Sequence, residues 1–203
     1  MTSFWRYRIR FGKRRVVRFI SHRDLMDAFA RSFRRAGLPV RMSQGFHPRP
    51  RFSLPAPLPL GIEGLDEVLE VDLVRPLDAE AVADRLGRAT PDGIDILRAR
   101  QLGPGQKARV HSATYRVRGD VTQRAIDRLL GRSTVTVTRR GGKEVDIRPY
   151  IERVSRSDRG WEFELLVTNA GTARPAEVVD ELCGNGGAAA SRMVRTHVNL
   201  DPS

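Results

Sequence analysis

Trp5-Arg6-Tyr7-Arg8-Ile9-Arg10-Phe11 alternates large apolar and cationic side chains at every step. A period of two puts Trp5, Tyr7, Ile9 and Phe11 on one face of an extended segment and Arg6, Arg8 and Arg10 on the other, the pattern of a half-buried strand. The period then changes. After Phe19-Ile20-Ser21, the residues Leu25, Met26, Phe29, Phe33 and Ala36 fall on one side of a helix from about His22 to Ala36, which Gly37 and Pro39 stop. A Pro-rich loop at 43–50 leads to a strand expected at 51–55, and Val68, Leu69, Val71 and Leu73 form another that ends at Pro76. A second helix at 78–88 carries Ala79, Val82, Ala83 and Leu86 on one side, and Ile94, Ile96 and Leu97 close with a strand.

Gly103-Pro104-Gly105-Gln106-Lys107 reads as a linker, after which the order repeats. Thr114–Val117 is a strand, 121–131 a helix bearing Ile126, Leu129 and Leu130, and Thr134–Thr138 an alternating strand. Val145–Ile151 is extended around Pro149, and Trp161, Phe163, Leu165 and Val167 alternate cleanly. A helix at 175–183 starts on Pro175, and Val194, His197 and Leu200 lie in a final strand. The second half has one strand candidate more than the first. Strand, helix, strand, strand, helix, strand is the order of a split βαβ, or ferredoxin-like, unit. The expected fold class is α+β: two tandem ferredoxin-like units, each an antiparallel sheet with helices on one face. The expected boundaries are a basic first domain at 1–102, a linker at 103–109 and a second domain at 110–203.

Composition bounds the function. The chain has 203 residues, 40% of them hydrophobic and 30% charged, enough for a packed core. No apolar run approaches the ~18 residues of a membrane helix, and Met1–Arg6 lacks a signal-peptide stretch. Cys183 is the single cysteine, so neither an internal disulfide nor a cysteine-held metal or iron–sulfur site can form from this chain. These features predict a cytoplasmic protein with no membrane partner and no cofactor. The net charge of +12 is segregated. Residues 1–60 hold 14 of the 36 basic residues and only two acids, Asp24 and Asp27, leaving 22 basic and 22 acidic residues for the rest. Arginine concentrated in one third of a chain suits a polyphosphate partner, through counterion release and bidentate guanidinium–phosphate contacts. An acidic protein surface and a plain solvated face are the alternatives.

Four segments could carry chemistry. In Ser21-His22-Arg23-Asp24, a helix cap reading competes with a catalytic one: Ser21 at the helix start and Asp24 three residues on are spaced as a capping box, and neighbours on one turn do not converge as a triad does. His22 remains free to touch RNA or a partner. The polar side of the first helix presents Asp27, Arg31, Arg34 and Arg35, with an Asp27–Arg31 pair at i, i+4 expected. If uncovered, the Arg6, Arg8 and Arg10 face would extend that row. The loop Met42-Ser43-Gln44-Gly45-Phe46-His47-Pro48-Arg49-Pro50-Arg51 combines a Gly turn, two stiffening prolines, stacking groups in Phe46 and His47, and cations in Arg41, Arg49 and Arg51. Gln44 adds an amide. Phe46 either meets a base or turns inward to anchor the loop. In the second half, Lys143, Asp146 and Arg148 form a second candidate contact site, with Asp146 and Arg148 on one face of an extended segment, or simply paired across a sheet. The four histidines, His22, His47, His111 and His197, show no metal-ligand spacing, and Gly61 and Gly64 do not make a phosphate loop.

Four N-terminal motifs carry a resemblance: Phe19-Ile20-Ser21-His22-x-Asp24-Leu25-Met26, Arg34-Arg35-Ala36-Gly37-Leu38-Pro39, Ser43-Gln44-Gly45-Phe46-His47-Pro48-x-Pro50 and Leu58-Pro59-Leu60-Gly61. With Gly142–Pro149 and Arg174-Pro175, they are similar to a bacterial radical SAM-linked, or radical SAM-associated, family over nearly the whole chain. The resemblance implies a stand-alone relative of domains otherwise fused to a radical SAM enzyme, often encoded beside a ribonuclease of the E/G class. It supplies a context and not a reaction. A radical SAM enzyme holds its cluster with three cysteines in C-x3-C-x2-C spacing, so one cysteine makes this chain at most a partner of such an enzyme acting in trans. The leading expectation is a non-catalytic RNA-binding accessory that presents structured or ribosomal RNA to a separate modifying enzyme. One alternative is an RNA-modifying enzyme resembling a pseudouridine synthase, with Asp24 beside Arg23 as the nucleophile candidate, although the glycine-containing neighbourhood of that aspartate is missing. Another is a protein–protein scaffold for the ribonuclease.

Overall fold

The computed structural model describes residues 4–184 and 193–201. The protein is mixed α/β, and its chain divides into two compact units, one holding the described residues up to Arg109 together with Asp201, the other Val110–Leu200.

In the first unit, β1 (Trp5–Lys13) is followed by α1 (His22–Arg35), β2 (Phe52–Ser53), β3 (Glu63–Leu73), α2 (Ala79–Gly87) and β4 (Ile94–Gln101). Every neighbour in the order β4-β1-β3-β2 is antiparallel. The two periods read from the sequence meet in the core. Tyr7, Ile9 and Phe11 from β1 pack with Leu25, Phe29 and Phe33 of α1 and with Val82 and Leu86 of α2, so both helices lie on that face of the sheet. Phe11 meets Phe29 edge-on at 4.9 Å between ring centroids, and Phe33 meets Phe52 the same way at 5.1 Å. Phe52 thereby ties the short β2 to α1. The expected strand at 51–55 shrinks to these two residues, and its prolines explain why: Pro50 and Pro55 carry no N–H to extend the ladder.

The ends of α1 are built locally. Ser21 Oγ accepts the Asp24 N–H at 3.1 Å while the Asp24 carboxylate accepts the Ser21 N–H at 3.2 Å and its hydroxyl at 2.7 Å, a reciprocal capping box. At the other end Gly37 takes φ +59°, the Leu38 N–H reaches the Phe33 carbonyl, and the Gly37 N–H reaches that of Arg34. This Schellman closure needs a left-handed residue, which glycine adopts without a Cβ penalty. Arg85 of α2 adds bonds to the Ala36 and Gly37 carbonyls at 3.1 and 2.8 Å, satisfying acceptors that the helix end leaves open.

The second unit runs β5 (Val110–Val117), α3 (Gln123–Leu130), β6 (Thr136–Arg139), β7 (Lys143–Asp146), β8 (Ile151–Ser157), β9 (Gly160–Leu166), α4 (Pro175–Cys183) and β10 (Met193–Leu200). Its sheet has the antiparallel order β10-β5-β9-β8, and β6-β7 forms a separate hairpin. Trp161, Phe163 and Tyr115 form the aromatic part of its core, with ring centroids 5.2–5.3 Å apart. The extended segment expected over Val145–Ile151 is divided here. Asp146 ends β7, Arg148–Tyr150 forms a 3-10 turn, and Ile151 opens β8. Two of the expected strands, Thr134–Thr138 and the start of Val145–Ile151, thus form the separate hairpin, and β8, the strand that enters the sheet in their place, is one the alternation did not mark. Its buried residues, Ile151 and Val154, are three apart because the register shifts between Ile151 and Arg153.

Candidate nucleic-acid interface

Salt bridges divide the 14 basic residues of the first 60 by role. Along β1, Arg6 pairs with Asp72 at 2.7 Å, Arg8 with Glu70 at 2.9 Å and Arg10 with Asp66 at 3.6 Å. The register of β1 against β3 sets the first two pairs, since Arg6 stands opposite Asp72 and Arg8 opposite Glu70. Arg6, Arg8 and Arg10 were expected as an open cationic row; they are instead a neutralised ladder. The Arg8 and Glu70 side chains are only 5% and 7% exposed. The hydrogen bond to Asp72 raises the Arg6 pKa, and burial lowers that of Arg10. Arg14, Arg15 and Arg18 pair with Asp95, Asp92 and Glu63 at 3.8, 3.0 and 3.5 Å. Buried Lys13 donates to the Ile20 carbonyl at 3.0 Å. Arg35, expected on the contact face, donates to the Ala89 carbonyl and to Ser32 Oγ, so it fastens α1 to the segment after α2.

Six cations remain with no salt bridge among the described residues: Arg23, Arg31 and Arg34 on α1, and Arg41, Arg49 and Arg51 on the loop that follows. The expected Asp27–Arg31 pair is not formed among the described residues; both side chains are exposed.

That loop is a projecting finger. At its base the Arg41 N–H donates to the Asp72 carbonyl at 2.8 Å, the Arg51 N–H to the Arg41 carbonyl at 2.8 Å, and the Asp72 N–H to the Arg51 carbonyl at 3.1 Å. Further out, Met42 bridges Pro50, the Ser43 N–H donates to the Arg49 carbonyl at 2.8 Å, and Ser43 Oγ accepts the Arg49 N–H at 3.0 Å. The rungs therefore hold Arg41, Arg49 and Arg51 in place and leave Gln44-Gly45-Phe46-His47-Pro48 as the tip. Gly45 turns the chain at φ +123°, a value that L side chains rarely adopt. Every residue from Gln44 to Arg49 is exposed, and Phe46 is fully so. Of the two readings open for Phe46, the inward anchor does not hold: the ring covers nothing among the described residues.

Beside the finger lies a cleft of about 600 Å³, lined by His22, Arg23, Met26, Asp27 and Ala30 of α1 and by Arg49, Pro50 and Phe52. It brings His22 and Arg49, 27 positions apart, to one concave surface. Arg23 and Met26 were not among the sequence candidates. Met26 had been assigned to the apolar stripe, but it lies at the edge of that stripe and is only half-buried.

Asp24, the weak nucleophile candidate, is exposed, and its carboxylate is engaged by Ser21 in the helix cap. The Ser21 hydroxyl and then its N–H hold the Asp24 pKa below the usual carboxylate value, with Arg23 and Arg31 adding to the effect. Asp24 is thus an ionised cap.

The second candidate site comes apart. Asp146 accepts the Val135 and Arg148 N–H groups at 2.8 and 3.0 Å. Arg148 donates to the Leu130 carbonyl at 2.9 Å and to that of Ile151 at 3.0 Å, closing the end of α3. Arg148 lies in the 3-10 turn and not on a strand face shared with Asp146, and both serve backbone groups of their own unit. Only Lys143 is exposed.

Among the described residues, no three His, Cys, Asp or Glu gather to hold a metal ion, and no helix is long and apolar enough to cross a membrane. No curated protein matches the chain. Residues 6–175, which include the α1 cap, the finger and the second unit as far as the start of α4, match the family described as an uncharacterized protein conserved in bacteria (DUF2344), and the chain belongs to that family.

Proposed function

We propose that the protein is a non-catalytic RNA-binding accessory that presents structured or ribosomal RNA to a radical SAM enzyme supplied in trans. The observation that carries the RNA part is Phe46, fully exposed at the tip of a finger whose arms bear Arg41, Arg49 and Arg51, none in a salt bridge among the described residues. A bare aromatic ring flanked by cations suits an unstacked base with its phosphates, and stacking of that kind is worth roughly 1–3 kcal/mol per base. Arg23, Arg31 and Arg34 extend the cationic surface along α1 beside the cleft. The enzyme partner rests on the resemblance of the N-terminal motifs alone. Engagement of Asp24 by the helix cap favours the accessory role over the pseudouridine-synthase-like one. The strand orders β4-β1-β3-β2 and β10-β5-β9-β8 support reading both units as split βαβ, ferredoxin-like folds.

The test is binding of a structured RNA to the full chain across a salt series. Six phosphate contacts imply a slope of log K against log salt of about −4 to −5, so that affinity falls roughly 10²–10³-fold between 50 and 200 mM salt. Binding without salt dependence would point to a protein partner and overturn the reading.

A further inference from the structure

A second cleft of the first unit has a different composition. It measures about 610 Å³, in the range of small-molecule sites, and is lined by Phe4, Trp5 and Arg6, by Arg41 and Arg51 at the base of the finger, and by the turn that follows β4. The turn is shaped by its own bonds. The Leu102 N–H donates to the Arg6 carbonyl at 2.8 Å, which continues the β4–β1 ladder, and Gln106 Oε1 accepts the Gly103 N–H at 2.8 Å. Lys107 and Arg51 both line this cleft and an adjoining hollow of about 410 Å³.

The charges are asymmetric. Arg6 is taken up by Asp72 through two bonds, at 2.7 and 3.1 Å. Glu70, in the adjoining hollow, is taken up by Arg8. Arg41, Arg51 and Lys107 make no salt bridge among the described residues. The Arg41 guanidinium rests over the Phe4 ring, 4.6 Å from its centroid, which leaves its donors for another acceptor. The carboxylates at the cleft are spent and three cations are not. Beside them stands Phe4, 40% exposed, which also has the Arg6 guanidinium 5.5 Å from its centroid, while Trp5 lines the cleft but packs half-buried against the core.

We infer that this cleft binds a nucleoside phosphate, with the base against the exposed part of Phe4 and the phosphate among Arg41, Arg51 and Lys107. Planar rings recognise a base face regardless of its identity, and guanidinium and ammonium donors bind phosphate oxygens through charge-assisted bonds. The cleft shares Arg41 and Arg51 with the RNA reading, but Phe4 and Lys107 lie outside the finger and the α1 surface, so Lys107→Ala tests the cleft by itself. The ligand has two sources, a free mononucleotide or the phosphorylated end of an RNA chain.

Trp5 is a built-in reporter. The only other tryptophan, Trp161, has no exposed surface and sits in the core of the other unit. The full chain is titrated with AMP while tryptophan fluorescence is followed, with adenosine and inorganic phosphate as separate probes. AMP is expected to quench saturably, adenosine and phosphate to bind at least tenfold more weakly, and Lys107→Ala and Arg51→Ala each to weaken AMP roughly tenfold through one lost charge-assisted contact. A 5′-phosphorylated short RNA that binds more tightly than AMP and than its 5′-hydroxyl counterpart identifies a chain end; AMP binding at least as tightly as that RNA identifies a free nucleotide. No saturable quenching by AMP or by the phosphorylated RNA, with a chain that melts cooperatively, overturns the inference. So does adenosine binding as well as AMP, or Lys107→Ala binding AMP unchanged.

Discussion

Replacing Phe46 by alanine separates recognition from folding. The ring is fully exposed, so its removal takes no apolar area out of the core and opens no cavity. The stability change should stay within about 0.5 kcal/mol, as for surface positions generally. An inward-facing phenylalanine would have cost about 3–5 kcal/mol, which is roughly 6–20 °C in melting temperature for a chain of this size. Binding should respond differently. Loss of one stacked base removes about 1–3 kcal/mol, a roughly 5- to 150-fold rise in Kd. Stacking releases no counterions, so the salt slope should not change. Arg49→Ala provides the contrast: affinity falls and the slope shrinks by about 0.7–0.9, one phosphate contact. The assay is fluorescence anisotropy of a labelled hairpin RNA with an unpaired loop, at several salt concentrations, alongside thermal melts of each variant. A Phe46→Ala protein that binds within twofold of the parent would refute the stacking argument. Affinity and melting temperature falling together would refute the claim that the ring covers nothing.

The paired arginines should behave in the opposite sense. Arg8→Ala leaves Glu70 buried without its cation and should destabilise the chain by about 3–5 kcal/mol in urea unfolding, whereas Arg31→Ala should fall within about 0.5 kcal/mol. Ser21→Ala should cost about 1 kcal/mol by loss of the α1 cap, read from the same curves. Asp24 is held below its ordinary pKa in the folded chain, so its contribution is present above the unfolded carboxylate value of about 4 and is lost as pH falls through the lower folded value. The stability gap between the parent and Asp24→Asn should therefore close in acid, and a gap that widens there would contradict the cap. In the second unit, Arg148→Ala should lower the melting temperature measurably because the Leu130 and Ile151 carbonyls lose their donor, while Lys143→Ala should leave it unchanged.

Local features were legible from residue order because their physics is local. The alternation of Trp5–Phe11, the helical stripe of Leu25, Phe29 and Phe33 and the spacing of Ser21 and Asp24 each depend on neighbours within a turn or a strand, and each appears where the pattern put it. The pattern failed at β8, where a register shift breaks the period that would have announced the strand. Charge segregation was also visible, but not which charges are available. The carboxylates that neutralise Arg6 and Arg8 stand 66 and 62 residues away, and only the β1–β3 register brings them opposite. Direction was hidden for the same reason. Pro48 and Pro50 announce a stiff loop, yet whether Phe46 enters the core depends on whether α1 and β2 leave room, and Phe33 and Phe52 already fill that contact. Sequence determined where apolar and cationic side chains sit along each element; tertiary pairing decided which arginines build the protein and which remain for a partner, because a salt bridge is settled by distance in space and not by distance along the chain.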